Sequence, residues 1–382
     1  MSTLPDFDPG FSTPAMGELW SSGTRIRRWC DAEAALARAT ASAGLIPRQS
    51  AALIERACAS LEVDAAALLA AGWTAGTPIV TLLEQLRPSL PEAARAHLHF
   101  GATSQDIVDT GTALQLRDAF GELTRLLAST ADGLAALIEK HPRDVVVGRT
   151  LMQPAVPMRF AWRVACWLDP LLDVLDAIAA TVARVPVQLG GPVGDLTAFG
   201  DAAPRVVEAF ASDLGLAVPA VTWHTSRGPI VESTTLAVRV AGVAEKIASD
   251  LVLLSQREIA EIALPSGGSS SMPHKKNAFV AIRAVAAARA CRGVASTVVF
   301  ASPHELERAA GSFQAEWFAV PLAFQTAGAA AEATRHAVTH LTFDAKRALE
   351  NLEGATLLEP TGADRLVARV VERHRRSREA RR

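Results

Sequence analysis

Apolar residues recur at helical spacing over most of this chain, and its first hundred residues contain no alternating strand pattern of useful length. Five long segments carry the helical pattern, namely residues 105–139, 157–185, 230–263, 277–300 and 313–349. At about 1.5 Å of rise per residue, the first of them would be roughly 50 Å long, which is unusual for a globular helix. The pattern therefore predicts an all-α fold, a long-helix bundle whose wide apolar faces are covered by partner chains.

Breaks in this pattern divide the chain into three parts. Residues 1–100 contain several shorter helical patterns, of which residues 26–43 are the clearest. Residues 186–200, rich in Gly and Pro, form a long irregular interruption later in the chain. We therefore expect an N-terminal helical domain over residues 1–100, a central long-helix bundle domain over residues 101–349, and a short C-terminal helical segment over residues 350–382.

The end of the chain is basic. Its last twelve residues, 371–382, carry six Arg against two Glu, a local charge of +4. A basic tail can bind nucleic acid, but a frayed, solvated helix end is the more ordinary interpretation. We predict the second, and therefore no nucleic-acid partner.

Composition limits the partners and the compartment. The 382 residues carry a net charge of −2, which gives no overall attraction to nucleic acid or to a membrane surface, so an acidic ligand has to be bound by local cations. The four cysteines are far apart and form no C-x-x-C pair, as is common for the thiols of a cytosolic protein. The first residues lack the basic start and apolar run of a signal peptide. We therefore expect a soluble, cytoplasmic protein with no membrane partner.

Residues 267–277 are much more polar than the apolar segments on either side. They read Gly267-Gly268-Ser269-Ser270-Ser271-Met272-Pro273-His274-Lys275-Lys276-Asn277. The glycines permit a positive φ and a close approach to a ligand, and the lysines precede a helical pattern whose first N–H groups favour an anion. On composition alone, two interpretations stay open: a mobile lid over an anionic ligand, or a polar surface linker.

The same loop resembles the serine-loop signature of the fumarase/aspartase superfamily, G-S-S-x-M-P-x-K-x-N, at every fixed position. Two further blocks precede it. His99-Phe100-Gly101-Ala102-Thr103-Ser104-Gln105-Asp106 resembles the carboxylate-binding Thr-Ser segment of that superfamily, and Gly148-Arg149-Thr150-Leu151-Met152-Gln153 resembles its G-R-T-x-x-Q segment. Three blocks in the expected order identify the chain as a member of this superfamily.

The resemblance implies proton transfer next to a substrate carboxylate, through a dianionic intermediate that needs nearby donors and cations. It implies Ser269 as the catalytic proton carrier. The substrate contacts that it implies are His99, Thr103, Ser104, Arg149, Gln153, His224, Ser270, Lys275 and Asn277. For both histidines, a structural role as a hydrogen-bonded core residue stays open. The resemblance also implies a small anionic polycarboxylate substrate, no metal or organic cofactor, and a homotetramer with shared active sites.

Leu151 departs from the pattern of the lyases in this superfamily, which have a histidine at that position to handle the proton of the leaving group. Leucine cannot carry a proton. A substrate carboxylate that attacks a conjugated alkene needs no such group, because a carboxylate of pKa about 4 is already ionised at neutral pH. Leu151 therefore favours the cycloisomerase branch of the superfamily, which forms lactones.

Two other functions compete with this interpretation. One is an elimination lyase that releases fumarate from a succinyl substrate such as adenylosuccinate, and the other is a non-catalytic helical scaffold. The intact serine loop disfavours the scaffold.

Replacing Ser269 by alanine should lower turnover by about 10²- to 10⁴-fold, because the proton carrier is removed. The free energy of unfolding should change little, and urea denaturation is the control for folding. Lys275→Met should instead weaken both substrate binding and turnover, because its charge acts on the ground state and the transition state alike. Near-normal turnover of the Ser269→Ala protein would move the proton transfer to Ser270, Ser271 or a histidine.

Overall fold

The computed structural model describes residues 9–265, 272, 276–352 and 362–381. The protein is 69% helical, and the prediction of an all-α fold is confirmed. The first part of the chain forms six helices: α1 (Pro14–Leu19), α2 (Ser22–Ser42), α3 (Arg48–Ala59), α4 (Ala65–Thr74), α5 (Pro78–Leu86) and α6 (Glu92–Arg95). Thr13, Ser21, Asp64 and Thr77 cap four of these helices through side-chain oxygens that accept a backbone N–H.

Long helices form the centre of the molecule. In chain order they and one shorter helix are α7 (Ser104–Lys140), α8 (Phe160–Val182), α9 (Ala203–Leu214), α10 (Gly228–Leu254), α11 (Phe279–Ala301) and α12 (Ser312–Thr339). α11 packs against α10 and α12, while α7 packs against α8 and α12. These contacts make a five-helix bundle of α7, α8, α10, α11 and α12, as the helical periodicity predicts.

A β-hairpin that the helical pattern did not predict connects α7 to α8. β1 (Val145–Thr150) pairs antiparallel with β2 (Gln153–Arg159), and Thr150 lies opposite Gln153. The two turn residues, Leu151 and Met152, both have positive φ values, 49° and 65°. Such turns normally use Asn and Gly, because bulky residues are strained in this region. The hairpin also delays the start of α8 from the expected residue 157 to Phe160.

Two predicted helices end earlier than their apolar pattern does. α10 ends at Leu254 instead of residue 263, because Ala260 takes a positive φ of 51° and Ile262 pairs with Phe343. This pairing forms β3 (Ile262–Ala263) and β4 (Thr342–Phe343), so α12 ends at Thr339 instead of residue 349. The apolar pattern runs on through these segments because a paired strand also buries side chains.

Two apolar cores stabilise the molecule. The larger lies within the bundle, where small residues allow close approach: a Cβ on Gly328 would lie only 2.6 Å from Met16 Cγ. The second core joins α2–α6 to residues 187–214. Because this second core also includes Ile107 of α7 and Phe313 of α12, the domain boundaries at residues 100 and 349 stay a prediction.

The chain ends in a regular helix. After α13 (Ala345–Glu350), α14 (Asp364–Ala380) packs along α8. Arg373 forms ion pairs of 2.7–2.8 Å with carboxylates that lie about one turn apart on α8, namely Asp169, Asp173 and Asp176. Residues 371–380 are therefore helical rather than frayed, because Arg373 anchors them to α8, but residues 375–380 are mostly exposed, as expected for a solvated helix end.

One helix of the described chain, α11, is long and apolar enough to cross a membrane by length and composition alone, and 39% of its apolar window is buried in the fold. Buried core helices of other proteins can have the same length and apolar composition. α11 packs between α10 and α12 within the bundle.

Candidate active site

Thr103 and Ser104 lie at the N-terminus of α7. Thr103 is the N-cap residue, and its backbone N–H donates to Asp106 Oδ2 over 2.9 Å, so that the first helical turn carries a carboxylate. Gly101, with a φ of 72°, makes the left-handed turn that leads the chain into the helix. The Thr103 and Ser104 residues are partly exposed at a helix end that favours an anion.

Asp106 is fully buried and holds His224. Its Oδ1 lies 2.6 Å from His224 Nε2, and its Oδ2 also accepts the Gly191 N–H over 2.9 Å. A Cβ on Gly190 would lie 2.8 Å from His224 Cε1, so only glycine leaves room for this ring. In this chain His224 is therefore a buried partner of Asp106, and its contact with substrate stays a prediction.

His99 lies against a buried carboxylate of the N-terminal helices. Its Nδ1 is 2.6 Å from Oε1 of Glu33, which belongs to α2. Burial alone would lower the pKa of His99, but the charge and hydrogen bond of Glu33 outweigh burial and raise it above the usual 6.5. His99 also has a positive φ of 61°. It is thus a partly exposed side chain four residues before the N-cap of α7, and in its protonated form it can attract an anionic ligand.

Arg227 is a fully buried guanidinium held by two carboxylates. Its Nη1 and Nη2 each lie 2.8 Å from an oxygen of Asp109 on α7. Its Nε and Nη2 lie 3.0 and 2.5 Å from the oxygens of Glu316 on α12. Burial alone would lower the pKa of Arg227, but the two carboxylates raise it. The group therefore stays cationic and joins α7, the start of α10, and α12.

Glu316 has a second neighbour, because His304 Nε2 lies 3.4 Å from its Oε1. Burial alone would raise the pKa of Glu316, but His304 and Arg227 hold it below the usual 4.5. Because the pKa of Glu316 is lower in the folded protein than in the unfolded chain, its ionisation stabilises the folded state above pH 4.5. This stabilisation is lost as the pH falls through the pKa that Glu316 has in the folded protein.

Arg308 ties the segment after α11 to the same group of residues. Its Nη1 donates to Gln105 Oε1 over 2.7 Å, and its Nη2 donates to the Pro192 carbonyl over 2.8 Å. Segments from four parts of the chain therefore meet at this end of the bundle, namely residues 99–109, 188–194, 222–227 and 304–316. We call this group the first cluster.

Arg149 belongs to a second group of charges. Its Nη2 lies 2.7 Å from Oε1 of the fully buried Glu261, whose Oε2 lies 3.0 Å from Arg163 Nη1. Asn351 also donates to Glu261 Oε1 over 3.1 Å. We call Arg149, Arg163, Glu261 and Asn351 the second cluster. Within the chain the Arg149 guanidinium is thus paired with Glu261, and its contact with a substrate carboxylate stays a prediction. Gln153 is exposed at the hairpin turn nearby.

The two clusters lie at opposite ends of the bundle. α7 begins at Ser104, directly after Thr103, and reaches the hairpin only after 37 residues, which is about 55 Å. α10 likewise begins just after Arg227 and ends seven residues before Glu261. One chain therefore does not bring Arg149 and Gln153 together with His99, Thr103, Ser104 and His224.

Asn277 lies two residues before α11, and its carbonyl accepts the Phe279 N–H over 2.8 Å. The other end of α11 leads into Pro303, which bridges to Ser226 in the first cluster. Asn277 is therefore at the end of α11 that is remote from the first cluster. Ser269, Ser270 and Lys275 lie outside the described residues.

The buried partners Glu33, Asp106, Asp109 and Glu316 were not predicted from the sequence. Asp106 had a local signal, because it follows Thr103 at the capping-box spacing. For the other three, the only signal in the sequence is that a charged residue interrupts an apolar helical pattern. Among the described residues, His, Cys, Asp and Glu side chains form no group of three that could hold a metal ion.

Comparisons with known proteins agree with this fold. The model of a family described as lyase matches residues 10–288. A 3-carboxy-cis,cis-muconate cycloisomerase of Pseudomonas putida is 40% identical over 331 residues, which cover 82% of this chain and 76% of that protein. A nitrosuccinate lyase of Streptomyces davaonensis is 35% identical over 339 residues, covering 85% and 71%. The crystal structure of the 3-carboxy-cis,cis-muconate lactonizing enzyme from Pseudomonas putida superimposes with a TM-score of 0.87 at 35% identity, covering 99% of this chain and 88% of that one.

Replacing Arg227 by methionine should lower the free energy of unfolding by about 3–5 kcal/mol, because two buried carboxylates lose their partner. Arg227→Lys should recover only part of this loss, since one ammonium cannot make two bidentate contacts. Urea denaturation measures both. The control is Arg125→Met, which removes an arginine 62% exposed beside Glu122 and should cost at most about 1 kcal/mol. Equal losses at Arg227 and Arg125 would contradict the buried network.

Proposed function

Because the chain belongs to the lyase family whose model it matches, we propose that it catalyses the cycloisomerisation of 3-carboxy-cis,cis-muconate to 4-carboxymuconolactone, a step of protocatechuate breakdown. The observation that carries the proposal is the level of likeness to 3-carboxy-cis,cis-muconate cycloisomerases, at 35–40% identity over most of the chain. Leu151, where the lyases of the superfamily have a histidine, supports the same reaction.

In this reaction a bond forms between one substrate carboxylate oxygen and an alkene carbon, the adjacent carbon takes up a proton, and nothing leaves. Before the proton arrives, the electron pair is delocalised into the neighbouring carboxylate, which becomes a dianion. Donors and cations at that position lower the barrier because they stabilise the developing charge. We assign the stabilisation of this charge to Thr103, Ser104, Lys275 and Asn277. We assign the donation of the proton to Ser269.

His99 and the helix end at Thr103 support an anionic substrate at the first cluster. The raised pKa of His99, which is due to Glu33, favours its charged form beside the N-terminus of α7. Both features favour a carboxylate, and a tricarboxylate substrate would use several such positions.

We infer that the protein assembles as a homotetramer with active sites shared between chains. The two clusters lie at opposite ends of helices about 40–55 Å long, so substrate cannot contact both within one chain. Leu151 is 97% exposed at a strained hairpin tip, and Phe300 is 84% exposed at the end of α11. A second chain that runs antiparallel would cover such apolar residues and bring one cluster to the other.

The purified protein should remove the ultraviolet absorbance of the conjugated diene when it is mixed with 3-carboxy-cis,cis-muconate. Adenylosuccinate and argininosuccinate should release no fumarate, since Leu151 cannot protonate their leaving amines. Ser269→Ala protein serves as the control for contaminating activity. Fumarate release at a rate comparable to diene loss would replace the proposal by an elimination lyase. Turnover of nitrosuccinate alone would favour the reaction named for the Streptomyces relative, and no turnover of any substrate would favour a scaffold.

Mixing two inactive variants should restore part of the activity if the sites are shared. One variant is Ser269→Ala, and the other is the double substitution Thr103→Ala with Ser104→Ala, because these residues belong to separate blocks. After joint partial unfolding and reassembly, mixed tetramers would contain some sites with no substituted residue. Each variant reassembled alone is the control. A monomer in light scattering at assay concentration, or no recovery from mixed tetramers, would contradict shared sites.

A further inference from the structure

A cavity of about 200 Å³ lies where α2, α4, α7 and α12 meet. Aromatic rings make much of its wall, namely those of Trp20, Trp29, Trp73, Phe313 and Trp317. The Trp317 ring contacts those of Trp73 and Phe313, with centroids 5.8 and 5.2 Å apart. Of the described residues predicted to contact substrate, none lines this cavity. It is therefore distinct from the predicted substrate contacts.

Arg25 of α2 also lines the cavity. Its guanidinium forms no ion pair, hydrogen bond or ring contact with any residue that the structure describes. Burial lowers the pKa of Arg25 to about 10, so that the group is still a cation at neutral pH. Arg25 is only partly exposed, and a cation that loses part of its hydration without gaining a partner costs free energy, which an anion would recover.

The carboxylates of the cavity wall do not pair with Arg25. Asp109 and Glu316 both line the cavity, but both oxygens of each already accept hydrogen bonds from Arg227. The Arg227 network thus fixes the acidic groups of the wall and leaves Arg25 unpaired.

Two further donors in the wall have no acceptor. The indole Nε1 atoms of Trp20 and Trp317 are buried and form no hydrogen bond with any described residue. A buried indole N–H usually has a partner. Two such indoles and a lone guanidinium around one cavity indicate that an acceptor with negative charge is missing.

We propose that this cavity binds a planar aromatic carboxylate, with the ring among the indoles and the carboxylate on Arg25. The volume suits such a ligand, because a cavity of about 150 Å³ is enough for benzene and the remaining space accommodates a carboxylate. An aromatic cage can also bind an organic cation, but a cation could not accept hydrogen bonds from the two indole N–H groups. Asp109 and Glu316 are held by Arg227, so the groups of the wall that lack a partner are all donors and favour an anion.

Benzoate and benzamide test the assignment, because they share a shape and differ in charge. Titration of the full-length protein, followed by tryptophan fluorescence and by calorimetry, should show benzoate binding about tenfold or more tightly than benzamide. Arg25→Met should abolish this preference and leave the affinity for benzamide unchanged. Arg25→Lys should retain part of it. Equal affinities for the two ligands in the wild-type protein, or an unchanged preference in Arg25→Met, would overturn the proposal.

A second substitution separates this cavity from the catalytic site. Thr112 lines the cavity from α7, and Thr112→Phe should fill it and block both ligands. Lys275→Met, which changes the serine loop, should leave benzoate binding unchanged. Loss of benzoate binding in Lys275→Met with normal binding in Thr112→Phe would assign the ligand to the catalytic site and overturn the inference. Neither titration depends on turnover, so the result stands whether or not the cycloisomerase assay succeeds.

Discussion

The contact of Arg227 with Asp109 and Glu316 fixes the end of the bundle where His99, Thr103, Ser104 and His224, the predicted substrate contacts, lie. Removing one member would leave a buried charge without a partner, so the three groups hold α7, α10 and α12 in one arrangement. The same arrangement places Asp106 under His224 and leaves the N-terminus of α7 partly exposed. It also engages the two carboxylates that line the aromatic cavity, Asp109 and Glu316. The predicted substrate contacts near Thr103 and the proposed carboxylate cavity therefore adjoin the same ion network.

Helix length sets the second constraint. Helices about 40–55 Å long give the chain a large apolar core, but they also carry the motif blocks to opposite ends. Leu151 illustrates the consequence, because a strained turn holds it almost fully exposed where one chain gives it nothing to pack against. Such an exposed apolar residue is one reason why we propose that the active sites are shared between chains.

Much of the fold could be predicted from local patterns. Helical periodicity predicted both ends of α7 to within one residue. It predicted the start of α11 to within two residues and its end to within one. Both helices are single uninterrupted segments, so their pattern is complete in the sequence. Helical periodicity extended α10 and α12 too far, because the pairing of Ile262 with Phe343 joins segments about 80 residues apart. The first hairpin was missed for a related reason: helical periodicity gives no signal for a strand pair closed by a strained Leu151–Met152 turn. For the site, the resemblance named Thr103, Arg149 and His224, but it did not indicate that Arg149 pairs with Glu261 or that His224 pairs with Asp106.

By itself the sequence determined the all-α class, the long helices and the motif blocks, because helical spacing and a ten-residue signature are properties of neighbouring positions. Only the tertiary structure decided how each charge is used. Arg227 meets Asp109 from 118 residues away and Arg149 meets Glu261 from 112, whereas Arg25 meets no described partner. The sequence marks Arg149 by its motif block, but it indicates a partner for none of these three arginines. Their roles differ because burial makes an ion pair or its absence decisive, and burial is a property of the packed chain.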